Sequence, residues 1–292
     1  MVSEWDLICD RGFLGATIQS CFFAGMLIGS FATGMISDAW GRKKCIFVTN
    51  ALFIIAGVTS AFVHSIAFYA VLRFIVGFSM TGVMLSQYVY AMELVGPSKR
   101  TAAANLVYLF HNGFQPLFVG IAYFLRDWRM LILVSTVPAV LLFPFWNLFF
   151  IDSPSNKLTI HIHSCRVFPE SPRWLIAHDR LDEAQSVIES FGGKKNKPIN
   201  SEEIRSLLED VRRDQLERER QAKKYTPIDL FRSPKMRKWA VVMCYQWFAV
   251  ALISFGIFLF VSQLVGNIYL NYFIMEFVAV FKLPATYYLY LK

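Results

Sequence analysis

The stretch Gly34-Met-Ile-Ser-Asp38-Ala-Trp-Gly41-Arg42-Lys43-Lys44 decides the fold, because it places a charged turn between two long apolar segments. Residues 12–37 contain no Asp, Glu, Lys or Arg, and neither do residues 45–72. A helix needs about 20 apolar residues to cross a bilayer core about 30 Å thick. We therefore expect the chain to cross the membrane, turn within a few residues and cross back.

The bulk composition supports a polytopic membrane protein. Of the 292 residues, 55% are hydrophobic and only 17% are charged, which excludes an ordinary soluble domain. The net charge of +8 does not indicate a nucleic-acid partner, because 18 of the 29 Lys and Arg lie in residues 151–238 together with 14 of the 21 acids. Mixed charge of this kind is typical of a solvated segment, which we expect to be cytoplasmic.

The apolar residues predict seven membrane spans. They lie near 12–37, 45–63, 66–92, 101–125, 129–150, 239–262 and 266–290. By the positive-inside rule, the basic turns after the first and third spans and the stretch after the fifth face the cytoplasm, so residue 1 is expected outside. The turn after the fourth span, with Arg126, Asp127 and Arg129, is mildly basic and fits this topology less well. A seven-helix receptor is disfavoured because the charged turn has no place in one.

Residues 168–238 predict short amphipathic helices, with a solvated linker as the alternative. Pro169 to Leu175 opens the segment, and Asn200 with Glu203 three residues later is typical of a helix N-cap. The expected apolar stripe consists of Ile204, Leu207, Leu208 and Val211.

No catalytic or cofactor motif is present in the sequence. It contains no P-loop, no glycine-rich nucleotide fingerprint, no nucleophile elbow and no metal-ligand spacing among its five Cys. We therefore expect no enzyme activity, no cofactor, no metal and no nucleotide site.

The charged turn resembles the signature loop of the major facilitator superfamily, with Asp38, Gly41, Arg42 and Lys43 at its core positions. Further stretches resemble the organic cation and carnitine transporters, the organic-ion branch of that superfamily. They are Trp5 to Asp10, Arg73-Phe74 with Gly77 and Glu93, the motif Pro169 to Leu175, and Gly266 to Asn271. The resemblance implies an all-α membrane helix bundle with twelve transmembrane helices in two halves, of which this chain supplies about seven.

That resemblance divides the chain into three expected parts. Residues 1–150 form an N-terminal transmembrane half without its first helix, residues 151–237 a cytoplasmic linker, and residues 238–292 the first two helices of the C-terminal half. Two regions depart from the family, residues 151–167 and the end of the chain, where Glu276 and Lys282 interrupt an apolar span. A truncated isoform or gene-model fragment that transports nothing is therefore the alternative to a transporter.

Alternating access requires bonds that hold one side of the transporter shut. The resemblance implies this gating role for charged residues at the cytoplasmic ends of the helices, and ordinary membrane anchoring is the alternative. The expected gating network consists of Asp38, Gly41, Arg42, Lys43, Glu93, Arg100, Glu170 and Arg173.

A solute pathway also requires polar and aromatic groups within the spans. Helix–helix contacts and core packing are the alternative roles for such residues. The candidates are Gln19, Met84, Tyr88, His111, Asn112, Gln115, Tyr245, Gln246, Trp247 and Ser254. Met84 stands where the cation transporters carry Trp or Tyr, so the substrate is not fixed by the resemblance.

The expected function is secondary transport of a small organic cation or a zwitterion such as a carnitine-like compound, by alternating access. Within the same class, an organic anion or sugar carrier remains open, although the motif from Trp5 to Asp10 disfavours a sugar porter. The expected partners are a small organic solute and the lipid bilayer, without nucleic acid. The full-length protein is expected in the plasma membrane.

Overall fold

The computed structural model describes residues 4, 5, 7, 11–96, 99–150, 169–192, 201–221, 232–261 and 263–291. Ten helices occupy these residues, and no strand lies among them. They are α1 (Gly12–Trp40), α2 (Arg42–Phe62), α3 (Ile66–Leu94), α4 (Arg100–Phe124), α5 (Trp128–Phe150), α6 (Pro172–Ala177), α7 (Leu181–Gly192), α8 (Ser201–Gln221), α9 (Pro234–Val261) and α10 (Ile268–Leu291). Cys9, Asn200 and the departing segment 151–167 lie outside the described residues.

The prediction of an all-α membrane bundle is confirmed, and seven of the helices, α1 to α5, α9 and α10, coincide with the seven predicted spans. Among the described residues, α1, α2, α3 and α9 are each long and apolar enough to cross a membrane. The helices α5 and α10 contain shorter apolar stretches, Trp128–Val140 and Ile268–Phe281. The helix α4 belongs to neither group, because His111, Asn112 and Gln115 interrupt its apolar sequence.

The turn between α1 and α2 is shorter than predicted. The prediction of a turn made of several charged residues is wrong, because Gly41 alone separates the two helices. Asp38 therefore lies in the last turn of α1, and Arg42 and Lys43 lie in the first turn of α2. Gly41 has φ +104°, a backbone conformation that other residues rarely adopt, and this allows both helices to run up to it.

Glycines bring α1 and α3 into close contact. Gly25 and Gly29 of α1 lie against the backbone of Phe74 and Phe78 in α3, and Gly77 of α3 lies against the carbonyl of Phe22. A Cβ at any of these three glycines would collide with main-chain atoms. Small residues at a helix contact are typical of membrane bundles, in which packing drives association.

The helices after the membrane span α5 form a small apolar core of their own. Trp174 and Leu175 of α6 pack with residues of α7 and of the first half of α8. In the predicted stripe, Ile204 and Leu208 are buried. Leu207 and Val211, which belong to the same stripe, are 58% and 45% exposed. The buried part of the stripe is therefore narrower than the apolar pattern, and it packs with residues of α6 and α7.

The chain divides into two compact units. The first comprises Met1–Leu106 and Leu125–Glu209, and the second comprises Val107–Phe124 and Asp210–Lys292. Most of α4 thus groups with α9 and α10 rather than with α1 to α3. The three-part division at residues 150 and 237 stays a prediction.

Candidate functional site

The candidate site surrounds the turn between α1 and α2, at the end of the helices that the basic residues assign to the cytoplasm. We call this end the inner end and the opposite one the outer end. All contacts described for the site lie within the first unit.

Arg42 is the centre of the ion pairs at the inner end. Its Nη2 lies 3.2 Å from Oε1 of Glu93, and its Nε lies 3.4 Å from Oε2, so α2 and α3 are joined by a forked pair. The Arg42 and Glu93 side chains are only 13% and 14% exposed. Asp38, one turn before Arg42 and 75% exposed, also pairs with the guanidinium. Arg42 therefore connects the ends of three helices.

Glu170 caps the first turn of α2 from a distant part of the chain. Its Oε1 accepts hydrogen bonds from the backbone N–H groups of Arg42 at 3.0 Å and Lys43 at 3.2 Å. The same oxygen accepts the N–H of Ser171 at 3.0 Å. The first N–H groups of a helix have no partner within the helix, and a negative charge there is favourable with respect to the helix dipole.

Two further hydrogen bonds fix α6 to the inner end. The Trp174 Nε1–H donates to the Asp38 carbonyl at 2.8 Å, and the Tyr90 hydroxyl donates to the Pro169 carbonyl at 2.6 Å. Ser171 is the N-cap of α6, where its hydroxyl accepts the Trp174 N–H. The segment from Pro169 to Ala177 is therefore held by α1, α2 and α3 together. We call this set of contacts the inner latch.

Gly41 is required at the latch for a second reason besides its positive φ. A Cβ on Gly41 would lie 2.5 Å from Oε2 of Glu170 and 3.5 Å from the Trp174 ring. The absence of a side chain at this position therefore lets the carboxylate approach the start of α2.

The structure brings six of the eight predicted gating residues together: Asp38, Gly41, Arg42, Lys43, Glu93 and Glu170. Lys43 contributes its backbone N–H to Glu170. Arg100 donates to the Val95 carbonyl at 3.4 Å, and Arg173 is exposed. Neither of these two forms a salt bridge with any residue that the structure describes, so their place in the gating network stays a prediction. Arg173 is exposed near the start of α6, whereas the three residues that follow it, Trp174, Leu175 and Ile176, are buried.

Sequence reasoning left Tyr90 and Trp174 out of the network. A signal for Tyr90 exists in its spacing, because it precedes Glu93 by three residues and therefore shares its helix face. A signal for Trp174 exists in its place within the motif that also contains Glu170.

A second cluster lies at the outer end of the first unit. The rings of Trp5, Tyr69 and Trp128 lie 5.0–5.6 Å apart, and the Trp5 Nε1–H donates to the His64 carbonyl at 2.8 Å. Tyr69 is fully buried, and Arg73 one turn later donates to its hydroxyl. This bond gives Arg73 a specific partner within its own helix.

Arg129 is neutralised within this outer cluster. It pairs with Glu4 and donates to the carbonyls of Ala61 at 2.8 Å and Val63 at 3.1 Å. The Arg129 hydrogen bond lowers the pKa of the Glu4 carboxyl below its usual range. The Arg129 guanidinium therefore has a carboxylate and two carbonyl partners at this end of the helices.

The ten pathway candidates divide between the two units. Gln19, Met84 and Tyr88 lie in the first unit, and all three are exposed. Met84 and Tyr88 share a face of α3 that points away from its contacts with α1 and α2, where Gly82 and Ser86 are buried. The seven candidates in the second unit are His111, Asn112, Gln115, Tyr245, Gln246, Trp247 and Ser254.

Within the second unit, the aromatic candidates are strongly exposed. Tyr245 is 72% and Trp247 70% exposed, and Gln246 and Ser254 are exposed as well. Asn112 donates to the Tyr108 carbonyl one turn earlier at 2.8 Å, so part of its hydrogen-bonding capacity is used within α4. His111 is exposed and Gln115 is half-buried.

A model of the Major Facilitator Superfamily matches residues 11–290. The chain belongs to the Major Facilitator Superfamily. Members of this superfamily are multi-pass membrane proteins, in agreement with the apolar helices and with the predicted membrane location.

Relatives of this Major Facilitator Superfamily chain confirm its resemblance to the organic cation and carnitine transporters. It is 33% identical over 276 residues to an organic cation transporter protein of Drosophila melanogaster, a match that covers 94% of the chain and 47% of the relative. It is 35% identical to organic cation/carnitine transporter 4 of Arabidopsis thaliana, covering 97% of the chain and 50% of the relative. With human organic cation/carnitine transporter 2 it shares 30% identity, covering 96% and 46%. The chain thus spans about half the length of the curated relatives it matches.

The fold also resembles a solved member of the superfamily. The xylose transporter XylE from E. coli, in a partially occluded inward-open conformation, superimposes with a TM-score of 0.53 at 18% identity. The superposition covers 70% of this chain and 48% of XylE. At this identity the likeness concerns the fold alone.

Proposed function

We propose that this chain forms part of a secondary transporter for small organic cations or zwitterions that works by alternating access. The inner latch is the observation that carries this proposal, because it joins the charged turn, α3 and the segment 169–177 at one end of the helices. The named relatives are transporters of organic cations and carnitine, which favours a transporter over an enzyme.

The chemistry of the latch suits a gate that opens and closes. The exposed Asp38–Arg42 pair is worth only about 0–1 kcal/mol. The hydrogen bonds that the half-buried carboxylate of Glu170 accepts are charge-assisted, and each contributes about 1.5–3 kcal/mol to stability. The gap between two states of a switching protein is a few kcal/mol. The latch therefore has the strength to bias such an equilibrium without locking it.

The exposed aromatic residues supply the recognition that an organic cation requires. An aromatic face attracts a cation by about 0.5–2 kcal/mol, depending on how far the cation is desolvated. Tyr88 in α3 and Tyr245 and Trp247 in α9 present such faces within their own units. These residues are our candidates for contact with the solute.

Competition of uptake tests the substrate class. Cells that express the complete coding sequence are loaded with radiolabelled tetraethylammonium or carnitine, and unlabelled tetraethylammonium, carnitine, para-aminohippurate and glucose compete. We expect inhibition by tetraethylammonium or carnitine. Inhibition by para-aminohippurate alone would indicate an organic anion carrier, and inhibition by glucose alone would indicate a sugar carrier and sink the proposal.

A second candidate is that these 292 residues alone do not transport. It is favoured by the relatives, in which about half of the length lies outside the match. Vesicles that contain only this chain test it directly. Saturable uptake of tetraethylammonium or carnitine into those vesicles would exclude this candidate.

A further inference from the structure

A concentrated positive charge lies just before and within the start of α9, which begins at Pro234. Arg232, Lys235, Arg237 and Lys238 lie within seven residues, and all four are exposed in the second unit. The Lys235, Arg237 and Lys238 side chains form no ion pair with any residue that the structure describes. We call these four residues the basic turn.

The sequence around the basic turn contains almost no compensating acid. Between residues 221 and 275 the only acidic residue is Asp229. The preceding helix α8 differs, because it carries seven acids and five bases, so that opposite charges compensate along it. The basic turn is therefore a distinct positive feature rather than a continuation of the mixed-charge linker.

The position of the basic turn places it at the boundary between water and lipid. Residues 239–275, which follow it directly, contain no Asp, Glu, Lys or Arg, and α9 is one of the helices apolar enough to cross a membrane. Lys235 shares a helix face with Lys238 and with Trp239, at spacings of three and four residues. Trp239 is 62% exposed, and Trp is typical of the membrane–water interface.

We propose that the basic turn binds the headgroups of anionic phospholipids in the inner leaflet. Clusters of four or more Lys and Arg beside a membrane span attract phosphatidylserine and phosphoinositides, and a multiply charged headgroup engages several such side chains together. If the basic residues only fix the orientation of the chain in the membrane, their positive charge is sufficient and the kind of lipid headgroup does not matter. A lipid site requires that the headgroup carry negative charge, so the two roles are separable by experiment.

Binding of a fluorescent phosphatidylinositol bisphosphate to the purified chain tests the proposal. Anisotropy is recorded in mixed detergent micelles, with fluorescent phosphatidylcholine as the reference lipid. The test variant combines Lys235→Gln with Lys238→Gln. The matched control combines Arg218→Gln with Arg220→Gln, which removes the same charge from exposed positions of α8. None of these four residues belongs to the inner latch.

We expect the phosphoinositide to bind more tightly than phosphatidylcholine. Each basic residue near an anionic surface contributes about fivefold in binding, so the test variant is expected to bind roughly 10- to 25-fold more weakly. The control variant is expected to bind like the unsubstituted chain. Equal binding of both lipids, or equal loss in the test and control variants, would overturn the proposal.

A salt titration of the unsubstituted chain provides a test that does not depend on the folding of any variant. Screening shortens the range of the attraction, so binding is expected to weaken steadily between about 0.05 M and about 0.5 M NaCl. Phosphoinositide binding that does not change over this range would contradict an electrostatic headgroup site.

Discussion

Replacing Glu170 by Gln is expected to loosen the inner latch without removing its shape. The carboxylate oxygen Oε1 accepts the N–H groups of Arg42, Lys43 and Ser171 at 3.0–3.2 Å. Gln keeps one acceptor oxygen but loses the charge that strengthens these bonds and that favours the start of α2. The loss of one charge-assisted bond costs about 1.5–3 kcal/mol. This free energy corresponds to an increase of about 10- to 150-fold in the equilibrium constant for local opening.

Hydrogen exchange measured by mass spectrometry reports this opening. Peptides that cover residues 169–178 and 41–46 are compared between the unsubstituted chain and Glu170→Gln. Exchange of a protected amide follows the local opening equilibrium when closing is fast. We expect both peptides to exchange about 10- to 150-fold faster in the variant, with peptides from the middle of α3 unchanged.

Glu183→Gln is the matched control for this measurement. Glu183 lies on the same linker and pairs with Arg180, but both side chains are about half exposed, at 54% and 44%. Such a pair contributes about 0–1 kcal/mol, so the control is expected to change exchange by fivefold at most. If peptides 169–178 and 41–46 exchange no faster in a folded Glu170→Gln variant than in Glu183→Gln, the hydrogen bonds from the start of α2 to Glu170 do not hold the segment 169–177 in place.

Three other substitutions or conditions test further features. Gly41→Ala places a Cβ 2.5 Å from Glu170 Oε2 on a residue with φ +104°. We expect the free energy of unfolding to fall by about 1–3 kcal/mol, which lowers the thermal-unfolding temperature in detergent. An unchanged temperature would contradict the close approach. Gly77→Ala is expected to lower the free energy of unfolding by about 1–3 kcal/mol, because its Cβ collides with the Phe22 carbonyl. Gly15→Ala is the control, because its Cβ meets open space and should not change stability. Equal effects of the two substitutions would refute the glycine contact. The pKa of Glu4 is lowered mainly by the Arg129 hydrogen bond, so its carboxylate stabilises the outer cluster above the usual pKa of about 4.3 and loses this effect as the pH falls through the lower value. Tryptophan fluorescence should show this acid transition, and Glu4→Gln should abolish it.

The membrane spans were predictable because burial in lipid imposes a simple pattern. A spanning helix must be apolar over about 20 residues, and charges are confined to its ends. The stretches 12–37 and 45–63 satisfy this rule, and α1 and α2 follow them closely. The turn between them was mislocated because charge marks a membrane boundary and does not mark a helix end. Asp38 and Arg42 remain helical beyond the apolar stretch, and only the backbone of Gly41 breaks the helix.

The contacts of the latch were only partly predictable. The charged motifs predicted which residues gather at the inner end, but not that Glu170 binds backbone N–H groups instead of a basic side chain. A carboxylate can satisfy either kind of donor, and the choice depends on which helix start lies within reach. Arg173, predicted to join the network, is exposed, whereas the three residues that follow it in this short helix are buried.

The outer cluster was not predicted at all, although all its residues were visible in the sequence. Trp5, Tyr69 and Trp128 are far apart along the chain, and no local period connects them. Their contacts depend on the packing of α2, α3 and α5, which sequence pattern alone does not give. Arg129 illustrates the consequence, because its partner Glu4 lies 125 residues earlier in the chain and no sequence pattern connects the two.

Uptake of radiolabelled tetraethylammonium or carnitine tests the central claim most directly. The complete coding sequence is expressed in cells without substitution, with Glu170→Gln and with Glu183→Gln, and uptake is normalised to surface expression. We predict saturable uptake that glucose does not inhibit, with a changed maximal rate in Glu170→Gln and an unchanged one in Glu183→Gln. Uptake inhibited only by glucose would contradict the proposed substrate class. Equal maximal rates for all three proteins would contradict a gating role for the inner latch.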